Sequence, residues 1–315
     1  MISKTAPDET SVVTARPSGE ASAPASRHGR RRGSTRPIGV RRSSRLVLNG
    51  VLILTALYFL LPVWWLLVSS SKTNSGLFAS NGFLFSGFHL FANIQDVFSF
   101  GGGLFGRWML NSLIYSGLSG LGATVFGSAC GYALAKFEFR GRGLIFGFIM
   151  SGVLVPSALL TVPLYLMFSK IHLVDTYWAV IIPGVVSPFA VYLSRVYALD
   201  AIPDSLLEAA RIDGAKELQI FLRIVVPMMR PALVTVFLFS FVSAWNNFFL
   251  ALVMLSNQKL YPVTLGLYQW FSDKNQTTYN VVITGSLLSV LPLVIAFLAL
   301  GRFWRAGLSA GGVKG

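Results

Sequence analysis

Charge is scarce in this chain. Only 12% of its 315 residues are Asp, Glu, Lys or Arg, where a soluble domain carries about a quarter. Cysteine is scarcer still: Cys130 stands alone inside an apolar run, which excludes an internal disulfide and any Cys/His metal spacing and leaves it as a small packing residue. The three histidines, His28, His89 and His172, lie outside the apolar runs, with no Cys or carboxylate at metal-ligand spacing. A Gly-x-x-x-x-Gly-Lys-Ser/Thr phosphate loop is also missing, so a nucleotide-driven process would need another polypeptide to hydrolyse the nucleotide. No metal site, cofactor site or catalytic residue is assigned, and the chain does not read as an enzyme.

What remains is hydrophobic: 54% of the residues are apolar. A bilayer core of about 30 Å is crossed by roughly 20 apolar helical residues, and six stretches reach that length without a charged residue: 46–68, 108–135, 144–169, 176–194, 231–256 and 275–301. Their length and continuity specify helices, since a barrel strand is about ten residues with alternating polarity. The expected fold is all-α: a polytopic membrane protein with six transmembrane helices. No span holds an ionisable group, which argues against an ion-driven secondary transporter, and no acid or histidine is there to serve Ser or Cys130 as a base, which argues against an intramembrane enzyme. A simple channel would leave the long fourth-to-fifth connection without a purpose.

The basic residues give an orientation. Of 26 Lys and Arg, 21 fall in residues 1–45, in the second-to-third and fourth-to-fifth connections and in the C-terminal tail. The opposite side has only Lys72, Arg107, Lys170, Lys259 and Lys274. The cytoplasmic side carries the excess, so both termini are expected inside the cell, in a multi-pass plasma-membrane protein of bacterial type. The net charge of +14 then reports topology, not a nucleic-acid partner.

Residues 1–45, rich in Ser, Ala, Pro, Gly and Arg, are expected to form a disordered basic cytoplasmic tail. Its Arg30-Arg31-Arg32 and Arg41-Arg42 clusters could meet anionic lipid or act only as topology determinants. Arg41-Arg42 also has the form of a twin-arginine export signal, but the run after it is too long for a signal core and five more spans follow, so the first span is expected to be retained. Residues 46–301 form the membrane domain and 302–315 a Gly-rich cytoplasmic tail. Residues 69–107, the only long external segment, could form short interfacial helices or a loop over the outer mouth. Pro62, Pro156, Pro163, Pro183, Pro188 and Pro292 are candidate kinks, and Gly117, Gly120, Gly122 and Gly127 suit close helix contact.

The connection between spans four and five, about residues 200–227, differs from the others. Pro203 suits the first turn of a helix, and Asp204 and Glu208 favour its positive end. Leu206, Leu207, Ala209 and Ala210 supply an apolar face, and Gly214 can stop the helix in the left-handed conformation. A second helix then runs from about Ala215 toward Pro227. This gives a cytoplasmic helix, a bend and a second helix, suited to docking in a cleft of a soluble partner, with Glu208 and Arg211 available for charge pairing.

The spacing Glu208-Ala209-Ala210, three residues, Gly214, nine residues, Ile224, one residue, Val226-Pro227 resembles the EAA loop of binding-protein-dependent ABC importer permeases. Val226 departs mildly from the family pattern, which has Leu before the proline. The resemblance covers residues 46–315 and is greatest to the carbohydrate branch, the smaller six-span permease of the maltose-type pair. Ser243-Ala244-Trp245-Asn246-Asn247-Phe248 and the Val313-Lys314-Gly315 ending add to it. It implies a complex with two ATPase subunits, a second permease and an extracytoplasmic solute-binding protein. It further implies that Glu208, Ala209, Ala210, Arg211, Asp213 and Gly214 couple to the ATPase, and that Gly311, Gly312, Val313, Lys314 and Gly315 reach toward it. Trp245, Asn246 and Asn247 put polar groups inside a span. They could bond to other helices or line the translocation path, where aromatic faces and amides suit a sugar; a non-sugar solute stays open as the alternative.

Overall fold

The computed structural model describes residues 42–273 and 278–311. Every element among them is a helix, and the main ones run in order as α1 (Arg42–Ser70), α2 (Asn74–Ala79), α3 (Leu90–Gly103), α4 (Phe105–Lys136), α5 (Arg142–Leu154), α6 (Ser157–Lys170), α7 (Trp178–Val185), α8 (Pro188–Ala201), α9 (Asp204–Ile212), α10 (Glu217–Met228, with a π-helical turn at Phe221–Val225), α11 (Arg230–Trp245), α12 (Phe249–Met254), α13 (Val263–Ser272) and α14 (Tyr279–Gly311), with a short 3-10 helix, Gln258–Leu260, between α12 and α13.

The chain divides into two compact units, residues 1–54 and 55–315. In the first, the described residues 42–54 are the opening turns of α1, with Leu46, Val47 and Leu48 exposed. The described chain is already helical at Arg42, inside the stretch expected to be tail; residues 1–41 lie outside the described ones.

In the whole described chain, four helical stretches are long and apolar enough to cross a membrane: Arg45–Ser70, Phe105–Lys136, Trp178–Ala201 and Tyr279–Gly301. Two bent pairs, α5 with α6 and α10 with α11, raise the number to six if each pair is one crossing. The expected third span is thus not straight. It turns by 102° between α5 and α6, because Pro156 has no N–H to donate and holds Val155 in an extended conformation (φ −84°, ψ 118°). The expected fifth span also ends early: α11 stops at Trp245, and Asn246 to Phe248 separate it from α12. Pro188 opens α8, while Pro62, Pro163, Pro183 and Pro292 lie inside helices.

The centre of the second unit is α4, which packs against α7, α8 and α11. Small residues make this possible. A Cβ on Gly127 would fall 2.5 Å from Ala190 Cβ, and one on Gly131 2.8 Å from the Val191 carbonyl oxygen, so α4 and α8 approach at backbone distance. Gly120 and Gly122 meet Phe237 and Val185. Gly117, expected in the same role, has open space beside it. Cys130 is half-buried on α4. By contrast α5 and α6 expose most of their side chains, among them Leu144, Phe148 and Leu154. In a bilayer such faces meet acyl chains or another membrane helix.

Candidate functional site

The connection between α8 and α11 folds as a rooted elbow. α9 starts after Pro203, with Asp204 in its first turn. It ends in a hydrogen-bonded reversal: Ala215 N–H donates to the Ala210 carbonyl and Gly214 N–H to that of Arg211, each at 3.0 Å. Gly214 has φ +81°, which glycine adopts without a Cβ clash. α10 then leaves the bend, and the chain turns by 81° into α11.

Three contacts hold the elbow to the bundle. Leu207, 2% exposed, and Ala210 bury themselves with Tyr132 and Ala135 of α4, Ala198 of α8, Ile220 and Val225 of α10, and Ile202 and Met229 from the connecting turns. Lys136, the last residue of α4, donates from Nζ to Asp204 Oδ1 at 2.8 Å and to the Ile202 carbonyl at 2.6 Å. Its side chain is buried while that of Asp204 is exposed, so the lysine head ties the end of α4 to the C-terminal end of α8, where Ile202 follows the helix, and holds the start of α9. Finally, Arg211 Nε donates to Glu217 Oε1 at 2.7 Å across the bend, with the guanidinium 5.9 Å from the Phe137 ring. The hydrogen bond to Glu217 pushes the Arg211 pKa above its ordinary value. The pair is exposed on both sides, so it contributes at most about 1 kcal/mol.

The four apolar residues expected on one face of α9 divide between two. Leu207 and Ala210 face inward; Leu206 and Ala209 are exposed, beside Glu208, Asp213 and Ile212, the last 86% exposed. A helix turns by 100° per residue, so neighbours such as 206 and 207 cannot share a face. The outer ridge is therefore short and largely apolar, with Glu208 within it and Asp213 at its C-terminal end.

At the opposite end of α4 the chain is strapped. Arg107 Nε and Asn111 Nδ2 donate to the Lys259 carbonyl (2.8 and 2.9 Å), Trp108 Nε1 to Gln258 (2.7 Å), Asn111 Nδ2 to Tyr261 (3.0 Å) and Tyr115 OH to Leu260 (2.7 Å). Ser112 Oγ accepts from Val263 N–H at 2.8 Å, and Asn111 Oδ1 accepts from Tyr177 OH at 2.8 Å. From the other side, Asp175 (φ +61°) accepts the N–H groups of Ser256 and Asn257 at 2.9 Å each. The sequence reading missed this strap. Its one signal was a polar stripe at helical spacing, Asn111, Ser112, Tyr115, Ser116 and Ser119, in an otherwise apolar span.

Trp245 is buried and stacked on Phe241, ring centroids 5.9 Å apart. Asn246 Nδ2 donates to Val242 O at 2.9 Å, closing α11, and Asn247 Oδ1 accepts the Leu250 N–H at 3.3 Å, opening α12. The two amides thus shape the break between the helices. In the tail, Gly311 is the last described residue of α14, and Gly312, Val313, Lys314 and Gly315 lie outside the described residues.

A bundle of up to six crossings with a rooted helical elbow between two of them defines a multi-pass membrane protein of the transporter-permease type. Residues 123–306 match the family described as binding-protein-dependent transport system inner membrane component, and the chain belongs to that family. It is similar to the arabinooligosaccharides transport system permease protein AraQ of Bacillus subtilis (strain 168), with 34% identity over 86% of this chain and 96% of the relative. It is also similar to the melibiose/raffinose/stachyose import permease protein MelC of the same strain, with 32% identity over 87% and 98%. Among solved structures, a bacterial ABC transporter involved in the import of the acidic polysaccharide alginate matches with a TM-score of 0.72 and 25% identity, over 84% of this chain and 98% of that one.

Proposed function

We propose that this chain is the permease subunit of an ATP-driven importer for sugars or oligosaccharides, and that its elbow couples nucleotide hydrolysis by partner ATPase subunits to alternating access. The observation that carries the reading is the two-faced α9: Leu207 and Ala210 root it in the bundle, while Leu206, Glu208, Ala209 and Ile212 project from it. A partner that grips the outer ridge must move the inner face, and with it the ends of α4 and α8. Asp213 and Gly214 set the angle at which the ridge is presented. Ala210, being buried, serves the root and not the grip, and Arg211 braces the bend.

The sugar assignment draws on the solutes named for the two permease relatives and on the polysaccharide named for the solved transporter. A second permease and an extracytoplasmic binding protein complete the complex, and the basic-residue asymmetry puts both termini and the elbow in the cytoplasm. Asn246, whose amide is exposed, is the member of the Trp245–Asn247 group available to a passing solute. The tail from Gly311 to Gly315 reaches toward the ATPase pair on sequence resemblance alone.

Affinity purification of the membrane complex tests the grip. Ile212→Asp with Ala209→Arg should remove the ATPase subunits from the purified complex while the chain still inserts in the membrane. Retention of the ATPase at the unaltered ratio would exclude α9 as the docking element.

A further inference from the structure

The segment after α1 contains an exposed apolar surface that takes no part in the proposed coupling through the elbow. Between Lys72 and Asp96 there is no Asp, Glu, Lys or Arg. Within it Phe78, Phe83, Leu84, Phe85, Phe88 and Phe91 are all exposed, the last to 75%. Only α2 and the start of α3 are regular here; residues 80–89 are turns and extended backbone. Six large apolar groups on one short uncharged segment exceed what water tolerates without a partner.

Its neighbours point to lipid as that partner. The second half of α1 exposes Leu57, Phe59, Leu60 and Val63, the surface of a membrane-crossing helix. The aromatic segment continues that surface directly. At the junction, Trp64 Nε1 donates to the Phe83 carbonyl at 3.1 Å, its ring meets that of Phe85 edge-on at 5.6 Å, and Gly82 packs on the Trp65 indole. Indoles are enriched where a span meets the membrane–water interface, and Phe and Leu are side chains that an interfacial segment buries at the headgroup–acyl boundary. Irregular backbone with free polar groups is excluded from the hydrocarbon core but accommodated at headgroup level.

The one cation at the start of the segment is buried and bonded inside it, so it adds no charge to that surface. Lys72, 2% exposed, donates to Ser80 Oγ at 3.0 Å and to the Asn81 carbonyl at 2.5 Å. The same corner is tied to the bundle: Asn93 Nδ2 donates to the carbonyls of Ser70 and Lys72, each at 2.8 Å, and Asn93 Oδ1 accepts from Asn280 Nδ2 at 2.9 Å.

We propose that residues 74–91 are an interfacial anchor, lying in the headgroup region of the leaflet opposite the elbow. It fixes the depth of the corner where the end of α1, α3 and the start of α14 are bonded together.

Nitroxide collision measurements on the assembled transporter, reconstituted in phosphatidylcholine–phosphatidylglycerol vesicles, test this. In a Cys130→Ser background, single cysteines replace Phe83, Phe88 and Phe91, with Asn257→Cys as the aqueous reference and Leu57→Cys as the lipid one. The anchor requires collision with a water-soluble nickel chelate to fall about threefold or more below the Asn257 site, with oxygen collision near that of the Leu57 site. Nickel access equal to the Asn257 site would place the segment in water and overturn the proposal. Low access to both reagents would show a protein partner covering the segment, with the same consequence. The unaltered chain supplies a second measurement that needs no variant: a phospholipid with a photoreactive headgroup should label residues 74–91, and labelling confined to other segments would refute the anchor.

Discussion

Gly214 illustrates how one residue can be required for its backbone alone. A Cβ there would meet nothing within 4 Å, so Gly214→Ala meets no steric clash and costs about 1–2 kcal/mol from the left-handed backbone alone. Gly214→Pro is worse for a different reason: it fixes φ near −65° and deletes the N–H that closes on Arg211. Alanine should leave ATP-coupled uptake measurable in vesicles, and proline should abolish it while the chain still reaches the membrane. Normal uptake by the proline variant would contradict a fixed bend. Lys136 makes the complementary case. Lys136→Met keeps most of the side-chain volume but leaves the Ile202 carbonyl and Asp204 without their cation, a loss of about 2 kcal/mol from charged hydrogen bonds. Hydrogen exchange should then rise in α9 but not in α7. Unchanged protection of α9 would mean that the clamp is not what holds it.

At the scale of the element, the closest seam is the one between α4 and α8. Side chains added at Gly127 or Gly131 would collide with Ala190 or with the backbone at Val191, and neither can retreat as a flexible side chain does. Gly131→Val should therefore lower the thermal stability of the purified chain by about 1–3 kcal/mol equivalent or more, whereas Gly117→Ala should leave it near the parent value. Equal stability of both variants would remove the seam from the account. These elements also show what the sequence made legible. The elbow could be read in advance because its signals, Pro203 before the helix and Gly214 after it, act on their own backbone. The bend at Pro156 was half legible: proline marks a break, but an uncharged run on both sides does not show how far the chain turns. The inward position of Ala210 was not legible, since Ala209 and Ala210 are identical as residues and only the placement of α4 and α8 decides between them. The strap was hidden for a stronger reason: the groups that accept from Arg107, Trp108, Asn111 and Tyr115 are backbone carbonyls about 150 residues from their donors, and a carbonyl leaves no mark in a sequence.

The whole second unit has α4 as its common member. One end carries Lys136 and the elbow; the other carries the row from Arg107 to Tyr115 and the strap. A movement entering at α9 therefore has a continuous packed route to the opposite face. If α4 acts as a rod, weakening the strap should uncouple transport without touching the docking end. Asn111→Leu is the sharpest such change. Asn111 is buried and uses its amide for three bonds, to Lys259, Tyr261 and Tyr177; its loss leaves the Tyr261 carbonyl and the Tyr177 hydroxyl without this partner, at about 1–3 kcal/mol for each group that stays unsatisfied, while the Lys259 carbonyl keeps its bond from Arg107. Solute moved per ATP hydrolysed should therefore drop, while co-purification of ATPase subunits stays at the parent ratio. Paired measurement of uptake and hydrolysis in proteoliposomes reads both quantities at once. A parent-like ratio of solute to ATP would show that the strap is passive and that α4 transmits nothing to it; loss of the ATPase subunits would show instead that the two ends are folded as one unit and cannot be separated by mutation.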